Sequence, residues 1–138
     1  MIPVETINLN EVNRFKMSRI VLIDDDPRFR RMLRRLLTRE GHQVTESEDG
    51  NTGLEQVKIL NPDLVITDMV MPEKDGIETV TEIIKWNREI KILAISGGGK
   101  ITTDIYLQMA KQLGANRICN KGVEPVELIK IVNELLAL

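Results

Sequence analysis

The stretch Ile20-Val21-Leu22-Ile23-Asp24-Asp25-Asp26-Pro27 predicts the fold of this chain. Four apolar, mostly β-branched residues in succession are typical of a strand that is buried on both faces. Three carboxylates follow where that strand would end, and each like-charge pair about 4 Å apart costs roughly 4 kcal/mol at an effective dielectric constant near 20. A fold that gathers such charges usually places a cation among them. The alternative is a solvated turn whose aspartates cap a helix, and Pro27 suits the first turn of that helix.

The composition is that of one ordinary globular domain. The chain has 138 residues, a net charge of −2 and a single cysteine, Cys119. The charge argues neither for nor against a nucleic-acid partner, and one cysteine allows no intrachain disulfide, which fits a reducing compartment. No apolar run is long enough for a membrane span, and the N-terminus, with its glutamates, does not read as a secretory signal. We therefore expect a cytoplasmic protein without membrane insertion.

Two units are expected along the chain. Residues 1–18 have apolar side chains at irregular spacings and read either as a loosely held extension or as an arm that packs on this domain or on a second copy. Pairing of two copies through this arm is therefore left open. Residues 19–138 form the domain itself.

The first helix predicted after the strand is rich in arginine. Residues 27–40 carry apolar side chains at helical spacing, and Gly41 supplies a stop. Arginine occupies six of the remaining positions: 28, 30, 31, 34, 35 and 39. These arginines are either a solvated helix face, which we weight more heavily, or a basic patch for a partner or a phosphate group.

A strand followed by a helix occurs five times. This alternation predicts a doubly wound α/β fold, a five-stranded parallel sheet flanked by five helices. The predicted strands are residues 20–23, 43–46, 64–67, 92–95 and 117–119. Ligands of such sheets bind beyond the carboxyl ends of the strands. The polar residues at those ends, which we therefore expect to meet in one crevice, are Asp24, Asp25, Asp26, Asp68, Ser96 and Lys121.

Phosphoryl chemistry is compatible with this set of side chains. Several carboxylates can hold Mg²⁺, and a carboxylate left partly free can act as a nucleophile that forms an aspartyl phosphate. Lys121 and Ser96 would neutralise or hydrogen-bond the phosphoryl oxygens. No histidine or cysteine is placed to act as base or nucleophile, which argues against most hydrolytic enzymes. The glycine run 97–99 lacks the Gly-Lys-Ser/Thr ending of a phosphate-binding loop and reads as a flexible loop.

The motifs together resemble the receiver domain of two-component response regulators. The resemblance covers about residues 19–138 and rests on four separated motifs in order: 21–27, 63–68 with Met71-Pro72 and Asp75-Gly76, Ser96, and Lys121. It implies a flavodoxin-like sheet of strand order 2-1-3-4-5.

The resemblance also implies a role for each matching residue. Asp68 would be the phosphoacceptor, and Asp25 and Asp68 would bind Mg²⁺ directly, with Asp24 acting mainly through water. The third metal ligand would be the main-chain carbonyl of Val70. Lys121 would contact the phosphoryl group, and Ser96 would swing toward it as part of the switch.

Three positions depart from the family pattern. Gly122 follows the lysine where proline is usual, so we expect a trans peptide bond and a looser loop. Ile118 stands where the family has its aromatic switch residue, so either the output surface is read differently or Tyr106 takes part. Gly97 stands where the family prefers a small residue, usually alanine, and should leave access to the phosphoryl site open.

Val70 lies two residues after Asp68, where a side chain often helps to place the hydrolytic water. Valine cannot hydrogen-bond that water, which predicts slow self-dephosphorylation.

The implied function is that of a receiver domain without an output domain. Its partners would be a sensor histidine kinase or a phosphotransfer protein, and a downstream target that docks on the fourth helix, fifth strand and fifth helix. Beyond its own phosphorylation and dephosphorylation we expect no enzymatic activity and no direct binding of nucleic acid.

Two other functions remain open. One is an unphosphorylated receiver-like scaffold: the complete set of acids, serine and lysine argues against it, but the changes at Ile118 and Gly122 keep it open. The other is a phosphatase of the haloacid dehalogenase type, with Asp24 as nucleophile and Asp26 two residues on. Such an enzyme needs an acidic cluster after the lysine, where this chain has only Glu124, Glu127 and Glu134.

Overall fold

A computed structural model describes residues 17–71, 74–97 and 101–138 of the chain. It shows five strand–helix units, in the order β1 Arg19–Ile23, α1 Pro27–Arg39, β2 Gln43–Ser47, α2 Gly50–Leu60, β3 Leu64–Asp68, α3 Gly76–Trp86, β4 Lys91–Ser96, α4 Ile101–Leu113, β5 Arg117–Asn120 and α5 Pro125–Leu136. Most of the predicted N-terminal extension, residues 1–16, and most of the glycine loop lie outside the described residues.

The five strands form one parallel sheet in the order β2-β1-β3-β4-β5, as expected. The order reverses direction between β1 and β3, which pair directly, with Ile23 opposite Thr67. The loops that follow β1 and β3 therefore leave the sheet side by side. This switch point is where doubly wound sheets bind their ligands.

The core has two layers because the central strands are covered on both faces. Val21 and Ile23 point toward α2, α3 and α4, whereas Ile20 and Leu22 point toward α1 and α5. All four side chains are buried. The continuous apolar run predicted a strand buried on both faces, and the structure confirms that prediction.

The helix ends follow local sequence signals. Gly41 ends α1 at a φ of 91°, a conformation that glycine adopts at little cost. α2 is capped by the residue that precedes its first turn. Asp49 is the cap, and its carboxylate accepts a hydrogen bond of 2.8 Å from the main-chain N–H of Thr52.

The buried face of α4 includes only some of its apolar side chains. Ile105, Met109 and Leu113 are 53%, 41% and 40% exposed, whereas Leu107 and Ala110 face the core. The helix carries apolar residues on two overlapping faces, and spacing alone cannot choose between them. In the described part of the chain, no helix combines the length and the apolar character needed to cross a bilayer.

His42 lies outside helix and strand and is buried. It follows α1, its Nδ1 atom has no hydrogen-bond partner among the described residues, and burial lowers its pKa. The unfolded chain therefore takes up a proton on His42 at a higher pH than the folded protein does.

Between pH 7.5 and 5.5 we expect the wild type to lose more stability than His42→Gln, measured by urea unfolding at each pH. Parallel pH profiles for the two proteins would contradict this.

Candidate functional site

Three aspartates meet at the carboxyl ends of β1 and β3. Asp24 is fully buried, Asp68 is 5% exposed at the end of its strand, and Asp25 is exposed on the loop. One carboxylate oxygen from each residue lies within 4.8 Å of the others. Hard oxygen ligands at this separation suit a divalent cation such as Mg²⁺. The residues present therefore fit the metal that the acidic motif predicts.

Lys121 enters the same pocket from the loop after β5. Its Nζ lies 2.7 Å from Oδ2 of Asp24 and 3.3 Å from Oδ2 of Asp68. Its main-chain N–H donates a hydrogen bond of 2.9 Å to the carbonyl of Ser96 at the end of β4. Lys121, which follows β5, therefore contacts the carboxylates that follow β1 and end β3.

The electrostatics of the pocket show a shortage of positive charge. Burial, opposed by Lys121, raises the pKa of Asp24. Burial and then the charge of Asp24 raise the pKa of Asp68 to about 6. Burial acts to lower the pKa of Lys121, but its hydrogen bond to Asp24 and the charges of both aspartates raise it overall. A bound cation would relieve the repulsion between the carboxylates.

The acidic loop is held by hydrogen bonds to its neighbours. The main-chain N–H of Asp24 donates to the carbonyl of Ser47, and Nη1 of Arg30 donates to the carbonyl of Asp24 at 2.7 Å. Arg30 also contacts Glu46 of β2 at 3.0 Å. These contacts fix the turn that presents Asp24 and Asp25.

Asp26 has a structural role in this loop. Its carboxylate is the N-cap of α1 and accepts hydrogen bonds from the main-chain N–H groups of Arg28 and Phe29. Its own N–H donates to Oδ1 of Asp24 at 2.9 Å. Asp26 therefore fits the capping alternative that the sequence left open for this turn, whereas Asp24 and Asp25 belong to the acidic cluster.

Capping predicts how substitutions at Asp26 behave. Asp26→Ala should lower the free energy of unfolding by about 1 kcal/mol, because the cap is lost. Asp26→Asn retains a capping oxygen, so its free energy of unfolding should differ from that of the wild type by only about 0.3 kcal/mol. Urea unfolding of both variants measures this. Equal losses for alanine and asparagine would show that the negative charge, not the cap, is what matters.

Val70 lies beside the carboxylate of Asp68. Its main-chain N–H donates to Oδ1 of Asp68 at 3.2 Å, and its side chain is 50% exposed. An apolar side chain therefore stands at the mouth of the pocket, where it offers no hydrogen bond to water.

Ser96 and Ile118 are both close to the sheet edge of the pocket. Ser96 is buried, and Asp68 is paired with Ile95, the residue before it. Ile118 is partly buried and packs against the same core layer as Tyr106. Tyr106 is likewise only partly buried against that layer.

Two glycines lie in close contact with residues of the site, where a larger side chain would not fit. A Cβ on Gly97 would lie 2.9 Å from Cδ of Lys121, so the lysine stem occupies the space that we expected to be open. A Cβ on Gly76 would lie 2.6 Å from the carbonyl oxygen of Asp68. The bond from Lys121 to Gly122 is trans, as predicted, since the described residues contain no cis peptide bond.

The arginines of α1 fall into two groups. Arg30 and Arg34 pair with Glu46 at 3.0 and 2.8 Å. The others are exposed, and together with Met32 and Leu36 they line a shallow groove of about 420 Å³: Arg28, Arg31, Arg35 and Arg39. Most of the helix face is therefore solvated, which is the interpretation given greater weight.

The acidic cluster that a dehalogenase-type phosphatase needs is not formed by the described residues. Glu124 and Glu127 are exposed on the start of α5, and Glu134 pairs with Arg117 at 2.8 Å. The acidic residues that gather near Lys121 are those of the two strand ends, Asp24, Asp25 and Asp68.

Comparison with known proteins agrees with this geometry. Residues 20–133 match the response regulator receiver domain family. The chain is 31% identical over 119 residues to the chemotaxis protein CheY of Thermotoga maritima, covering 86% of this chain and 97% of that protein. It is 29% identical over 123 residues to protein PilH of Pseudomonas aeruginosa, covering 88% and 99%. The receiver domain of NtrX from Brucella abortus superposes with a TM-score of 0.78 at 27% identity, covering 86% and 98%. Because the match includes both strand ends and the lysine that meet in the acidic pocket, the chain belongs to the response regulator receiver domain family of two-component systems.

Proposed function

We propose that this receiver domain accepts a phosphoryl group on Asp68. The observation that supports this most strongly is the convergence of three carboxylates and Lys121 at the switch point of the sheet. The carboxylate of Asp68, with a pKa of about 6, is mostly ionised at neutral pH and is held by the main-chain N–H of Val70. It is therefore available as a nucleophile.

The transfer itself needs positioning and charge neutralisation. An oxygen of Asp68 attacks phosphorus, the bond from phosphorus to the donor breaks, and the donor leaves with the electron pair. With a phosphohistidine donor, the leaving imidazole takes up a proton. Lys121 stands within reach of the oxygens that gain charge.

Mg²⁺ would be held by Asp25, Asp68 and the carbonyl of Val70, with Asp24 acting mainly through water. When bound, it supplies positive charge to the phosphoryl oxygens. The buried, repelling carboxylates of Asp24 and Asp68 support this assignment.

The partners follow from the same assignment. A sensor histidine kinase or a phosphotransfer protein would supply the phosphoryl group, and a downstream protein would read the phosphorylated state. The exposed apolar side chains of α4, Ile105 and Met109, support docking on α4, β5 and α5. Ser96 and Ile118 are the proposed switch positions, with Tyr106 as the neighbouring ring.

Acetyl phosphate tests the proposal without knowledge of the kinase. Incubation with Mg²⁺ should add the mass of one phosphoryl group to the wild type, and Asp68→Asn should show no gain. Asp63→Asn, the same change at the residue before β3 and so at the opposite end of that strand, serves as the control and should still be phosphorylated. No gain by the folded wild type would favour the unphosphorylated scaffold instead.

The side chain of Val70 predicts a long-lived phosphoryl group. It is half exposed at the pocket and cannot orient an attacking water by hydrogen bonding. We expect the isolated phosphoprotein to last minutes or longer and Val70→Asn to shorten that lifetime about tenfold. Intact mass followed over time after removal of acetyl phosphate measures both. Loss within seconds from the wild type would contradict the prediction.

A further inference from the structure

The ring of Phe29 faces the ammonium group of Lys121. The distance from Nζ to the ring centroid is 4.8 Å, inside the range of about 6 Å over which a cation is attracted to an aromatic face. We propose that Phe29 is a positioning residue that holds Lys121 over the phosphoacceptor. This inference rests on the proposed function and adds to it a residue on α1.

Phe29 is anchored to the acidic loop. It lies in the first turn of α1, where its main-chain N–H donates to the capping carboxylate of Asp26. That cap is bound in turn to Oδ1 of Asp24. The ring also packs, partly buried, against the core layer under α1 and α5. The backbone that carries the ring is therefore linked to the acidic loop through the cap of α1.

Lys121 lies beside two glycines. Its flanking positions on the crevice, Gly97 and Gly122, carry no side chain, and the lysine stem lies over Gly97. A lysine side chain has several freely rotating bonds, so a defined position for Nζ requires contacts near its end. Among the described residues, those contacts are the carboxylates of Asp24 and Asp68 and the ring of Phe29.

The ring differs from the carboxylates in one respect that matters for the reaction. The carboxylates of Asp24 and Asp68 would be shared between Lys121 and a bound Mg²⁺, and phosphorylation would convert Asp68 itself into an aspartyl phosphate. The attraction of the Phe29 ring does not depend on either event, because it arises from the ring quadrupole. Phe29 can thus keep Nζ in place while the charges around it change.

Phe29→Leu and Phe29→Tyr distinguish the effect of the aromatic ring on Lys121 from the effect of apolar packing at this position. We expect Phe29→Leu to slow phosphorylation by acetyl phosphate at saturating Mg²⁺ about three- to tenfold, the effect of losing one cation–π contact. Phe29→Tyr should stay within about twofold of the wild type. Val44→Ala, which loosens the same core layer far from Lys121, is the matched control for packing and should also stay near the wild type.

NMR gives a second reading that does not depend on activity. The ε-CH₂ protons of Lys121 should be shifted upfield by the ring current in the wild type and in Phe29→Tyr, and should return to ordinary lysine values in Phe29→Leu. Unchanged shifts together with an unchanged rate in Phe29→Leu would overturn the proposal. So would equal slowing by leucine, tyrosine and Val44→Ala, which would indicate packing alone. If the wild type takes up no phosphoryl group, the proposed function fails, and the Lys121 shifts alone decide whether the ring holds the lysine.

Discussion

Mg²⁺ will raise the melting temperature of the wild type, and Asp25→Asn will remove most of that rise. At a free concentration about 100 times the dissociation constant, binding to the folded state adds about 2.7 kcal/mol, or about 8 °C for a domain of this size. The gain comes from placing a cation among three carboxylates that lie within 4.8 Å of one another.

Asp25 is the best position at which to test the metal site. Its side chain is exposed, so the loss of one carboxylate charge should weaken the metal site without a large cost to folding. If affinity falls about 30-fold, the same Mg²⁺ concentration adds only about 0.9 kcal/mol.

Asp26→Asn is the matched control for this experiment, because it removes the next charge along the chain. It should keep the full Mg²⁺ shift, since Asp26 caps α1. Thermal unfolding with Mg²⁺ and with EDTA measures all three proteins. An unchanged shift in Asp25→Asn, or loss of the shift in Asp26→Asn, would contradict the assignment of ligands.

Gly76→Ala will destabilise the protein by about 3 kcal/mol and strongly impair phosphorylation. A Cβ at this position would lie 2.6 Å from the carbonyl oxygen of Asp68 and 2.6 Å from Cα of Met69. Both are main-chain atoms, so the strand end or the start of α3 must move. Because a displacement of about 1 Å can cost roughly 100-fold in rate, we expect a fall of that order with acetyl phosphate.

Gly122→Ala serves as the control for stability. There a Cβ would lie 3.2 Å from Oδ1 of Asn120, a side-chain atom that accepts a hydrogen bond of 2.8 Å from the N–H of Gly122 and not a main-chain atom. We expect a loss below about 1 kcal/mol. Equal losses at the two glycines, measured by urea unfolding, would show that the close contact of Gly76 with β3 is unimportant.

The parts of the fold that could be predicted are those in which burial on both faces requires an unbroken run of apolar residues in the sequence. β1 and β3 are covered on both faces, so their sequences are unbroken apolar runs. β2 lies at the sheet edge with Val44, Thr45 and Glu46 only partly buried, and its signal was correspondingly weak. The face of α4 could not be predicted, because tertiary packing selects one of two apolar stripes.

The acidic site was predictable because parallel strand ends meet at one edge of a sheet. The contact of Phe29 with Lys121 was not, because those residues are 92 positions apart and Phe29 has the spacing of a core residue. The burial of Lys74 could not be predicted from the sequence either. Lys74 is 8% exposed in the loop before α3 and pairs with Glu82. A lysine in a loop ordinarily indicates exposure, and only the fold shows that this one is covered.

Trapping the phosphoryl group at its point of attachment tests the central claim most directly. Reduction of the acetyl-phosphate-treated protein with borohydride converts an aspartyl phosphate to homoserine, and peptide mass spectrometry then identifies the position. We predict homoserine at position 68 and aspartate at 24, 25 and 26. Homoserine at position 24 would contradict the account, because Asp24 would then be the nucleophile.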